Sequence, residues 1–238
     1  MDTTRTPEVS LRPGEQLHGF EVKSVTPIHE LRSVNIELTH QHSGARLLHL
    51  YTNDTENLFS INFPTPPSDD TGVPHILEHA VLAGSHKFPV KEPFFEMIKM
   101  SMATFINAMT SADFTCYPVS SNVKKDLFNL AEVYFDAVFH PLLTENTFKR
   151  EGHHLAPVDP EDPTGDLKIT GIVYNEMKGA FSDPEARLYR SMICQLLPDT
   201  LYAWESGGDP DAIPDLTYEQ LKGFHETYYH PSNGYFVL

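Results

Sequence analysis

Between residues 33 and 84 the apolar pattern changes its period, and that change requires strands and helices to share one chain. In "LRSVNIELTH", Val34, Ile36 and Leu38 alternate with Asn35, Glu37 and Thr39, the period-two signature of a strand with one buried face. "ARLLHLYT" and "NLFSINF" follow after the turn signals His42-Ser43-Gly44 and Asn53-Asp54. These segments read as antiparallel strands of a half-buried sheet. Past the breaker "PTPPSDDTG", Val73, Ile76, Leu77, Ala80 and Val81 suit a buried helix that starts near Pro74 and ends near Gly84.

A second helix is predicted across "EPFFEMIKMSMATFI" and a further strand in "DFTCYPVSS". Ser121 or Asn122 can then cap a helix whose Val123, Leu127, Leu130, Tyr134 and Val138 form one apolar stripe. Pro141 stops it. The polar "APVDPEDPTGD" reads as a surface loop, followed by helical patterns near 167 to 180, 184 to 197 and 217 to 229. Finally "NGYFVL" begins a strand with no turn or tail after it. A terminus of that kind is expected within a longer protein, so the chain reads as a fragment.

A chain of 238 residues with 40% hydrophobic content can bury one large core or two small ones. Its 17 Lys plus Arg against 33 Asp plus Glu leave a net charge of −16. Such a balance argues against a nucleic-acid partner and favours cationic or neutral ones. Cys116 and Cys194 form no C-x-x-C pair, so a reduced intracellular protein is expected. The opening residues show no apolar signal core, and no apolar run is long enough to cross a bilayer. The expected place is the cytoplasm, or the mitochondrial matrix or plastid stroma if the start is a processed or trimmed terminus. No membrane partner is expected.

The chemistry lies in "HILEH". On a helix, positions i, i+3 and i+4 share a face, so His75, Glu78 and His79 project into the same space. Two imidazoles at that spacing can grip one zinc ion, and a carboxylate beside the metal can take a proton from its water. H-x-x-E-H is the inverted zincin motif. Burying three ionisable groups among Ile76, Leu77, Ala80 and Val81 is costly unless something pairs them. Catalytic zinc needs a third protein ligand, for which Glu92, Glu96, Glu132, Glu145, Glu151 and Glu176 are candidates. Glu176 stands out because "GIVYNEMKGAF" is largely apolar, whereas Glu145 and Glu151 have polar neighbours expected to be solvated. Structural zinc is a weaker reading, since such sites favour four ligands and cysteine.

"HILEHAVLAGS", "NAMTSADFTCYPVSS", "GIVYNEMKGAFS" and "YYHPSNGYFVL" together resemble the pitrilysin-type (M16) zinc metallopeptidases, most closely their presequence protease branch. The four motifs stand in the family's order along nearly the whole chain. The resemblance implies an α+β fold, an antiparallel sheet with helices packed on one face in an M16-like roll. It implies that residues 1–238 are a single zinc-bearing N-terminal domain of a longer four-domain peptidase. It also implies one zinc held by His75, His79 and Glu176, with Glu78 as general base.

Substrate would add as a β-strand along the edge near Asn107, Ala108 and Met109. The implied function is a zinc endopeptidase acting on unstructured oligopeptides such as targeting presequences. Its partners would be extended peptides and the C-terminal half of the parent protein, which supplies an Arg/Tyr pair to the tetrahedral intermediate. The domain alone is then expected to be weakly active or inactive. The alternative is a noncatalytic peptide-binding or scaffold module of the same fold. One departure matters: many relatives of other branches carry a glutamate seven residues before the third ligand, where this chain has Ile169. Any role of that glutamate in supporting the ligands must be filled otherwise, or is absent.

Overall fold

The computed structural model describes residues 5–162 and 164–238. Five strands come first: β1 (Gln16–Leu17), β2 (Phe20–Ile28), β3 (Ser33–His40), β4 (Arg46–Tyr51) and β5 (Asn57–Pro64). Helices α1 (Val73–Val81) and α2 (Pro93–Met100) precede β6 (Ala103–Ile106), β7 (Met109–Thr110) and β8 (Phe114–Ser121). Then come α3 (Lys124–Phe139), α4 (Glu145–Glu151), β9 (His154–Pro157) and β10 (Leu167–Thr170). The rest holds α5 (Ile172–Ala180), α6 (Pro184–Leu196), α7 (Tyr218–Tyr228) and β11 (Tyr235–Val237).

The main sheet runs β1-β2-β3-β4-β11-β5-β8-β6, with β7 also on β8. The α+β class stands, and every ladder is antiparallel except that of β11 on β4. The last strand thus enters the middle of the sheet, parallel to β4 and antiparallel to β5. Phe59, Ile61, Phe63, Tyr117, Val119 and Phe236 belong to one buried core with Ile76 and Leu77 of α1 and Leu130, Tyr134 and Val138 of α3. Cross-strand register puts Ile61 opposite Tyr117 and Phe236, and Phe59 opposite Val119, so one face of the sheet carries the helices. Val22, Val34, Ile36 and Leu38 make a smaller core at the other end.

Three local expectations change. The second helix stops at Met100, and Ala103–Ile106 instead pair with β8. Residues 167–170 pair with β9, so the helix there starts at Ile172. Gly171 separates the two because a Cβ there would meet the Gly152 carbonyl oxygen at 2.0 Å. Neither Ser121 nor Asn122 caps α3; the cap position is Val123, with no side-chain cap. Ser121 ends β8, and its hydroxyl accepts from Val123 N at 3.1 Å and donates to Asp126 at 3.0 Å. Long-range pairing overrides local helical preference in the first two cases. Among the described residues no helix is long and apolar enough to cross a membrane.

Candidate metal centre

Helix α1 begins at Gly72, whose φ of 70° is left-handed, and Pro74 fits its first turn. Val73, Ile76, Leu77, Ala80 and Val81 all lie in the core, which makes the helix a rigid mount. On its remaining face the side chains of His75 and His79 are 12% and 26% exposed, with ring centroids 5.0 Å apart. Helix α5 brings Glu176 against them: Oε1 is 3.8 Å from Nε2 of His75, and Oε2 is 3.9 Å from Nε2 of His79. One ligand atom from each residue lies within 4.8 Å of the other two.

The opposite ring nitrogens are occupied. Nδ1 of His75 faces the Gly207 carbonyl oxygen at 3.1 Å, and Nδ1 of His79 faces Oε2 of Glu151 at 3.4 Å. When each Nδ1 carries the proton and donates it, both Nε2 lone pairs are left toward Glu176. Zinc bonds of about 2 Å at tetrahedral angles separate ligand atoms by about 3.3 Å, slightly less than the spacing here. The donor set, two imidazoles and a carboxylate, therefore fits a zinc ion.

Burial alone would lower the His79 pKa, but the contact with Glu151 and the charges of Glu78, Glu151 and Glu176 raise it above its ordinary value. Burial would likewise raise the Glu151 carboxyl, but hydrogen bonds with His79 and Arg150 hold it below the usual carboxylate range.

Two sequence expectations about the glutamates are reversed. Glu151, expected in solvent, is 5% exposed and takes Nε of Arg150 at 2.8 Å as well as His79. That contact is made by Glu151 and not by position 169, for Ile169 lies in the β9–β10 hairpin. Glu176, singled out for apolar surroundings, has a 54% exposed side chain at the mouth of the site. Its partners are the histidines rather than a buried environment. Of the other candidates, Glu96 pairs with Lys99, Glu132 with Lys87, Glu145 with Lys149 and Glu92 with Arg150.

These groups open onto a cavity of about 590 Å³ whose lining includes His75, Glu78, His79, Glu176 and residues 107–110. The structure thus brings Asn107, Ala108 and Met109 beside the histidines, at the sheet edge formed by β6 and β7. Asn107 N donates to Pro118 O at 3.2 Å, and its carbonyl accepts from Tyr134 OH at 2.9 Å. Its backbone is therefore fixed inward.

Glu78 is 6% exposed, and its Oε2 accepts from Thr110 Oγ1 at 2.7 Å. Thr110 was not singled out from sequence, although it completes the "NAMT" motif. Behind it Thr115 and Thr65 share a 2.8 Å hydroxyl contact. Burial and then the charge of Glu78 push the Tyr134 phenol and the Cys116 thiol above their ordinary pKa values. The groups backing Glu78 therefore stay neutral.

Residues 66–157 match the family described as "Insulinase (Peptidase family M16)". The mitochondrial presequence protease of Xenopus tropicalis is 53% identical over 94% of this chain and 22% of its own length. Presequence protease 1, chloroplastic/mitochondrial, of Arabidopsis thaliana is 47% identical over 95% of this chain and 21% of its own. The chain thus spans about a fifth of the length of these curated relatives. The crystal structure of pitrilysin superposes with a TM-score of 0.58 at 21% identity, over 86% of this chain and 21% of that one, which speaks for the fold. The chain therefore carries an insulinase-type domain of peptidase family M16.

Proposed function

We propose that this chain is the zinc-bearing N-terminal domain of a longer endopeptidase that degrades extended oligopeptides. One observation carries the reading: Nε2 of His75, Nε2 of His79 and the Glu176 carboxylate converge within 4.8 Å. Beside them lie a buried carboxylate and a sheet edge on the same cavity. His75, His79 and Glu176 would hold zinc, with the fourth position open. Bound there, the ion would lower the pKa of a water and polarise the scissile carbonyl.

Glu78 accepts the proton of the attacking water. Thr110 holds its Oε2, leaving Oε1 to receive that proton and return it to the leaving amine. An extended peptide adds along the edge at Asn107, Ala108 and Met109, which lies on the same cavity as the histidines. Folded proteins offer no free strand for this, which restricts substrates to unstructured peptides such as presequences, as the names of the relatives suggest. Those names also support a mitochondrial matrix or plastid stroma as the compartment. The two free cysteines fit any of these reduced spaces as well as the cytoplasm.

Metal analysis tests the core of this reading. The purified chain should hold about one zinc, and substituting both His75 and His79 by Ala should abolish it. Undiminished zinc in that double variant would refute the site.

A further inference from the structure

The Gly207 carbonyl that holds Nδ1 of His75 belongs to a loop between the short turns at Leu201–Ala203 and Ile213–Asp215. That loop is fixed by ionic contacts around Arg190 of α6. Nη2 of Arg190 donates to Asp70 Oδ1 at 2.6 Å and to the Ala203 carbonyl at 2.7 Å, and Nε lies 3.3 Å from Glu205 Oε2. Asp70 Oδ1 also accepts from Glu205 N at 2.7 Å, and its carbonyl accepts from Asp209 N at 2.8 Å. Glu205 in turn accepts from Gly207 N at 3.2 Å. The Arg190 and Asp70 side chains are 14% and 31% exposed, so these charge-assisted bonds are partly shielded from water.

Asp70 lies two residues before Gly72, where the helix that carries His75 begins. The two backbones touch there. A Cβ on Gly72 would sit 2.6 Å from the Cα of Gly208 and 2.7 Å from the Gly207 oxygen. The cluster thus ties the start of α1 and the 205–209 segment together on both sides of the His75–Gly207 contact. Arg190 itself is not among the cavity's described lining residues.

We propose that Asp70, Arg190 and Glu205 are positioning residues that set the tautomer of His75. They hold the Gly207 carbonyl where it accepts the Nδ1 proton, which leaves the Nε2 lone pair for a metal. The purpose of this device rests on the zinc reading above, while the tautomer is a property of the metal-free chain. Loosening such outer support of a ligating histidine commonly costs about 10- to 100-fold in metal affinity.

The test has two arms on the full 238-residue chain. In the first, nitrogen NMR of metal-free protein near about pH 8, where imidazoles are neutral, reads the tautomer of His75. Wild type should carry the proton on Nδ1. Arg190→Met and the milder Glu205→Gln should shift His75 toward a mixture, and Arg190→Lys should restore part of the original population. In the second, chelator competition should show zinc affinity falling about 10- to 100-fold in Arg190→Met and less in Glu205→Gln. Thermal unfolding monitors the fold, and Glu205→Gln keeps the Asp70–Arg190 pair if Arg190→Met does not fold. A wild-type His75 protonated on Nε2 overturns the proposal, as do unchanged tautomer and affinity in folded variants. Failure of the zinc reading looks different: wild type would bind no zinc while His75 still carries its proton on Nδ1.

Discussion

Oε2 of Glu151, at the end of α4, lies 3.4 Å from Nδ1 of His79 on α1. A carboxylate there orients the ring and raises the basicity of the nitrogen on its far side. Glu151→Gln keeps the shape but removes the charge, so zinc affinity measured by chelator competition should fall, toward the low end of about 10- to 100-fold. Unchanged affinity would show that the contact does not support the metal.

Glu78→Gln should leave zinc in place and lower turnover by about 10² to 10⁴-fold in a full-length protein carrying this domain. Thr110→Val removes the hydroxyl that donates to Glu78 at 2.7 Å. A hydrogen bond to a charged group contributes about 1.5 to 3 kcal/mol, so kcat should drop by roughly 10- to 100-fold with zinc retained. Near-normal hydrolysis by the Gln variant would assign the base elsewhere.

The cavity lining holds Glu78, Glu92, Glu151, Glu176 and Glu205 against one cation, Arg150. Peptides rich in Lys and Arg should therefore be cleaved faster than acidic ones of equal length at low salt. The advantage should shrink as ionic strength rises toward about 0.15 M. Equal rates for both at low salt would exclude electrostatic selection.

Arg150 is itself paired with Glu92 and Glu151 through Nη1 and Nε, and its remaining Nη2 is buried, which leaves the described lining without an exposed free Lys or Arg for the oxyanion of a tetrahedral intermediate. The 238-residue chain alone should consequently show little peptidase activity while still binding zinc in metal analysis. A single missing oxyanion donor costs about 10² to 10³-fold. Fluorogenic peptide assays with and without the remainder of a full-length protein make the comparison, and full activity from the chain alone would refute the two-half account.

Burial lowers the His225 pKa below its ordinary value, partly offset by its hydrogen bond to the Val138 carbonyl at 2.9 Å. As pH falls, the unfolded chain therefore takes up the proton first. The stability contributed is complete above about pH 6.5 and is lost as pH drops toward the depressed folded value. Melting of metal-free protein between about pH 5 and 7.5 should show a steeper acid decline in wild type than in His225→Gln. Parallel curves would mean that His225 does not report this burial.

Local sequence determined the elements with strong period or strong punctuation. Alternation in β3, the Gly72-Pro74 start of α1 and the Thr217 cap of α7 are encoded within a few residues, as is the sharing of one helix face by His75, Glu78 and His79. Tertiary structure decided what depends on distant partners. Residues 103–106 and 167–170 became strands because β8 and β9 were there to pair them. Glu151 and Glu176 exchanged their expected surroundings because burial is set by which helices meet, not by sequence neighbours: α4 packs beside α1, while α5 presents Glu176 from the cavity rim. Thr110, Gly207 and the Asp70–Arg190–Glu205 cluster left no periodic trace at all. Their roles rest on contacts that span up to 135 positions, and only the closed fold brings such groups within hydrogen-bond reach.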